Sequence, residues 1–138
     1  MKYDDASWHY GGDFPSELPR EAGATHIGMF VAWAVLNGLA GRYHTIDSAE
    51  ELAKLRSREI TPGAWLIRAC DGKFTDEDLS DEGNAFAVGY YETGGAYLGD
   101  YCETFPDVGS LYYVEDSWNS FDALAPRIAG RLQAWRAK

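Results

Sequence analysis

Cysteine is scarce in this chain, with Cys70 and Cys102 the only two among 138 residues. They lie far apart and lack metal-ligand spacing, which excludes a disulfide framework and reads as reduced, mostly buried thiols. Long apolar runs are absent too. The longest, "IGMFVAWAVL" at 27–36, has about half the length of a bilayer span, and the opening "MKYDDASWHYGGDF" has no apolar leader core. A cytoplasmic protein without a membrane segment is the expectation. Basic residues form the third shortage: 12 Lys and Arg stand against 22 Asp and Glu, a net charge of −10. A field of that sign repels phosphate backbones and anionic headgroups, so nucleic acid and membrane surfaces are disfavoured and a cationic partner is favoured.

Catalytic signatures are missing as well. There is no G-x-S-x-G elbow, P-loop lysine or H-x-x-x-H pair, and "GGAYLG" at 94–99 lacks the spacing of a dinucleotide loop. No cofactor and no metal is therefore called for by a motif.

What the chain does contain is core material, 46% hydrophobic and 14% aromatic residues, enough for one domain over 1–138. Residues 1–23 mix Gly and Pro with Trp8, Tyr10 and Phe14, an irregular arm pinned by rings with Trp8 as its anchor. "ATHIGMFVAWAVLNG" predicts a central helix capped by Thr25, ended by Asn37 and Gly38 and buried on most sides. "TIDSAEELAKLRSR", capped by Asp47 or Ser48, carries acids at its start and bases at its end, as a helix dipole prefers. "ITPGAWLIRACDG" has Thr61 as cap, Pro62 as first helical residue and Gly72 as terminator. Helices are expected over "DEGNAFAVGYYET" and "GGAYLGDYCETFPDVG", and a strand over "SLYYVED" at 110–116. The final segment puts Phe121, Leu124, Ala125, Ile128, Leu132 and Trp135 on one stripe, with a kink or break at Pro126. The fold class is mainly α, one compact domain of five to six helices with room for one short strand or hairpin.

"CDGKFTDEDLSDEGN" at 70–84 resembles a calcium loop only superficially. With Gly72 at the sixth position, the first and third ligand positions fall on Ile67 and Ala69, which carry no oxygen ligand. Its acids serve helix starts in part; the rest predict an acidic edge for a cationic partner, with Asp76, Glu77, Asp78, Asp81 and Glu82 as its charges and Tyr91 and Tyr97 as anchors. Among His9, His26 and His44, none has zinc spacing. His26, in the first turn of the central helix, would be held neutral there, and a pocket formed with His9, Asp4 or Asp5 of the arm is the alternative site.

"EAGATHIGMFVAWAVLNGL", "ITPGAW", "CDGKFTDEDLSDEGNAFA" and the opening "YDDASWHYGGDFP" resemble a family of small acidic bacterial domains of unknown function, most specifically over 24–39. The resemblance implies one helical domain. It also implies similarity to immunity proteins that neutralise interbacterial toxins, without carrying over any binding residue. Two functions are expected to compete: a cytoplasmic, non-enzymatic immunity protein that binds a basic toxin, and a small enzyme or ligand-binding domain built around His26.

Overall fold

The all-round apolar segment becomes the axis of the molecule. In the computed structural model, which describes residues 1–12, 14–92 and 95–138, Thr25–Leu36 form α1, and residues 25–35 are all buried. A 3-10 turn, Arg20–Ala24, runs straight into it, so Thr25 is its first helical residue and not its cap. Ala49–Arg56 form α2 after a π turn at Tyr43–Asp47; Ser48 holds the cap position without a side-chain bond.

Pro62–Cys70 form α3, packed against α1 through glycine. A Cβ on Gly28 would lie 2.5 Å from the Pro62 carbonyl oxygen, so the backbones meet where a side chain would keep them apart. Thr61 and Pro62 stand where expected. The capping oxygens, however, belong to Asp116, which accepts from Thr61 Oγ and from the amides of Gly63 and Ala64. The helix ends on two left-handed residues, Asp71 (φ 56°) and Gly72 (φ 72°).

The sheet is not where strand chemistry pointed. Lys2–Asp5 (β1) pairs antiparallel with Lys73–Thr75 (β2), with a register irregularity between Lys2 and Asp4. Residues 110–116 hold a 3-10 turn instead, because Ser110 Oγ accepts from the Tyr112 amide and closes the chain locally. The arm also departs from expectation at Trp8, which is 57% exposed beneath the Lys2 ammonium and anchors nothing in the core.

Asp81–Tyr90 (α4) starts on a Ser80 cap and Tyr97–Thr104 forms α5. Thr93 and Gly94 between them, and Asp13 in the arm, lie outside the described residues. Trp118–Arg136 form α6, capped by Ser117 and continuous through Pro126. Pro126 and Asp122, the residue whose carbonyl loses its amide donor there, are both exposed, so solvent can satisfy that carbonyl and the helix persists. Phe121, Leu124, Ile128 and Leu132 are its buried stripe. Asp100 of α5 joins this end of the molecule, accepting from Nε and Nη2 of Arg131 in α6 and from the Tyr90 hydroxyl of α4. The six α-helices and the small sheet share one hydrophobic core.

Candidate functional site

The arm and α1 bring Asp4, His9 and His26 together. The β1 irregularity precedes Asp4, and a bulge there re-aims side chains. His9 sits in a 3-10 turn started by Asp5, and His26 lies in the first turn of α1. Asp4 Oδ1 lies 2.8 Å from His9 Nε2 and also accepts from the Asp5 amide; its Oδ2 accepts the Tyr91 hydroxyl at 2.6 Å and stands 3.7 Å from His26 Nε2. His9 Nδ1 meets the Tyr112 hydroxyl at 2.8 Å. Asp4, His9 and Tyr112 thus form a continuous hydrogen-bonded chain. Burial pulls the Asp4 carboxyl upward, but the bonds from His9 and Tyr91 outweigh it and leave the net shift downward.

His26 is sealed behind this chain. It is 1% exposed, with the rings of His9, Tyr101 and Tyr112 around it, and neither of its nitrogens has a hydrogen-bond partner among the described residues. Burial, then the neighbouring His9, push its pKa down to about 3 against the opposing pull of Asp4. The imidazole is neutral, as its position predicted, but the larger cause is burial and not the helix dipole. Asp5 does not join the cluster. Its carboxylate takes the Lys2 ammonium and the Ser7 amide and hydroxyl, starting the 3-10 turn.

The expected acidic edge is smaller than its sequence. Asp78 is buried, with Oδ2 accepting the Thr75 amide in a capping box and Oδ1 turned to His44. Tyr97 is 1% exposed and donates to the His26 carbonyl, while the Tyr91 hydroxyl is turned inward onto Asp4. These three are corrections: an aromatic or carboxylate that satisfies a core partner is not available as a surface anchor. Asp76 bonds the Met1 amino group and Glu82 forms a two-point pair with Arg136, leaving Glu77 and Asp81 as exposed acids of the edge without a side-chain ion pair among the described residues.

Two features were not read from the sequence. One is an apolar groove of about 310 Å³ lined by Leu18, Ala22, Ile67, Tyr112, Tyr113 and Val114, with Glu21 and Glu115 among its lining residues and exposed. Its residues come from three separate segments and no local pattern announces them. The other is the meeting of His44, Cys70 and Asp78, whose ligand atoms lie within 4.8 Å of one another. Cys70 is half-buried rather than buried, and Cys102 is exposed. Burial, then the Asp78 carboxylate, push the Cys70 thiol far up, so it is no thiolate nucleophile at neutral pH.

Fold and sites together define a small, acidic, mainly helical domain whose three histidines lie in two clusters, each with a carboxylate, His26 and His44 buried and His9 half-buried. By family, the chain belongs to a domain of unknown function (DUF7832), whose model matches residues 2–114. That span includes both histidine clusters and stops before α6. No curated protein and no solved structure matches the chain.

Proposed function

We propose that the protein works by binding a cationic protein partner, a basic toxin that it neutralises as an immunity protein does. The observation that carries this reading is the groove: an apolar floor bordered by the exposed carboxylates of Glu21 and Glu115, on a chain of net charge −10. Apolar floor and acidic border are complementary to a basic surface that presents one apolar side chain. The long-range field steers encounter, and the desolvated centre holds the complex. The groove replaces the acidic edge as the contact face in this proposal, since that edge has lost Asp78, Tyr91 and Tyr97 to the interior.

The test begins with capture at low salt from the host lysate, then purification of the retained basic protein and titration by calorimetry. Placing a charge in the groove with Ile67→Asp is expected to weaken binding roughly thirtyfold, about 2 kcal/mol. Glu21→Gln with Glu115→Gln should slow association most at low salt. Unchanged affinity in both variants, with a loss in Glu77→Gln and Asp81→Asn, would return the contact to the acidic edge. A partner whose activity the protein leaves intact would end the immunity reading.

A second reading, a small ligand-binding or catalytic pocket near His26, draws on the Asp4, His9 and Tyr112 chain, because Tyr112 also lines the groove. On that reading Tyr112, not the sealed His26, meets the ligand, and His9 senses it through its bond to the Tyr112 hydroxyl. A small-molecule screen read by His9 and His26 imidazole NMR signals tests it: ligand shifts on His9 support it, and silence across the screen counts against it.

A further inference from the structure

His44, Cys70 and Asp78 arrive from three places: the π turn, the end of α3 and the 3-10 turn after β2. His44 is fully buried and Asp78 nearly so, while Cys70 lines a cavity of about 400 Å³ open to solvent. The three side chains converge on one another. His44 Nε2 is 2.8 Å from Asp78 Oδ1, Cys70 Sγ is 3.7 Å from that nitrogen and 3.6 Å from that oxygen.

This is not the order of a nucleophile relay. In a relay the imidazole turns one nitrogen to the carboxylate and the other to the thiol. Here Nε2 faces both, and Nδ1 has no hydrogen-bond partner among the described residues. What converges is three different donor atoms around one point. With metal–ligand distances of about 2.0–2.3 Å, the edges of a tetrahedral site measure roughly 3.3–3.8 Å. Two of the three edges already have that length. The third is the short hydrogen bond between His44 and Asp78, and it lengthens by about 0.5 Å once the shared proton is removed.

We infer that His44 Nε2, Cys70 Sγ and Asp78 Oδ1 form a three-ligand site for a divalent cation of the zinc class, with its fourth position toward the cavity. The donor set selects the ion: one sulfur, one nitrogen and one oxygen suit zinc, whereas calcium and magnesium require shells of oxygen. Protons balance simply. Binding releases the thiol proton to solvent, and the proton on His44 Nε2 passes to Nδ1, leaving a neutral imidazole ligand. Asp78 is held for the task, because its other oxygen is fixed by the Thr75 amide. Lys73 and Arg68, also at the cavity, are paired with Asp71 and Glu51.

The experiment is a cobalt titration of chelator-stripped, reduced protein, read by absorbance. A thiolate-to-cobalt charge-transfer band should saturate at one equivalent per chain and be discharged by zinc. The band should survive Cys102→Ser and vanish in Cys70→Ser, with circular dichroism reporting that the variant is folded. Asp78→Asn, whose amide oxygen still accepts from Thr75, should weaken binding while keeping the fold. Absence of the band in the native chain overturns the inference, as does equal metal affinity in native protein and Cys70→Ser.

Discussion

The carboxylate of Asp116 lies 2.6 Å from Thr61 Oγ, 2.8 Å from the Gly63 amide and 3.1 Å from the Ala64 amide. It closes the positive end of a helix 52 to 55 residues earlier in the chain. Asp116→Ala leaves two amides and a hydroxyl without their acceptor and is expected to cost about 2 kcal/mol. Asp116→Asn, which retains one carbonyl oxygen, should cost about half as much; urea unfolding of the two variants measures both. The sequence carried the local half of this arrangement, since Thr61 and Pro62 occupy the cap and first-turn positions that their chemistry prefers. The acceptor itself was illegible, because nothing near Asp116 points toward residue 61. Tyr97 illustrates the same limit: a tyrosine suits an interface or a core equally, and only the His26 carbonyl decides which.

Elements were more legible than their contacts. The central helix was readable because apolar residues on every face permit only a buried helix, and the α6 stripe because its spacing matches the helical period. The strands were not, since "KYDD" and "KFT" carry one apolar ring each and gain their identity only by pairing, with Tyr3 packed 4.7 Å from Phe74. The approach of α1 to α3 is set by Gly28, and helical glycines elsewhere supply the control. Gly28→Ala must push its methyl group against the Pro62 carbonyl and the Gly63 backbone and is expected to cost about 3 kcal/mol. In the middle of α6, Gly130 has open space at its Cβ position, so Gly130→Ala should stabilise by roughly 1 kcal/mol through helix propensity. Thermal unfolding of the two variants should therefore move in opposite directions. Destabilisation by both would mean that propensity, not the helix crossing, has been misjudged.

For the molecule as a whole, the chain gathers buried and half-buried ionisable groups where distant segments meet, which is why no motif revealed them: Asp4, His9 and His26 gather across the arm and α1, and His44, Cys70 and Asp78 across two turns and the end of α3. The proximity of the arm to His26 was legible as an expectation, but the sealing rings of Tyr101 and Tyr112 were not. One consequence is global acid sensitivity. His26 takes up a proton in the fold only near pH 3, whereas an unfolded imidazole does so near 6.5. Between those values the unfolded chain binds a proton that the folded chain refuses, so stability falls as the solution is acidified, by about 1.4 kcal/mol per pH unit. The carboxyls act with the same sign further down: Asp5 is lowered to about 2, and Asp4 and Asp100 are also lowered, so their contributions are lost as pH falls below about 4. Relief of repulsion among the surface acids opposes this trend, but those charges are solvated and screened by salt, and the buried imidazole dominates above pH 4.5. Urea unfolding at fixed ionic strength should show the native chain losing about 1 kcal/mol between pH 6.5 and 5.5. His26→Gln, which removes the titrating ring and keeps a polar group beside Asp4, should be nearly flat over the same interval. Parallel curves for the two proteins would mean that the imidazole titrates in the fold as it does in water, and that the core around α1 opens far more readily than its packing implies.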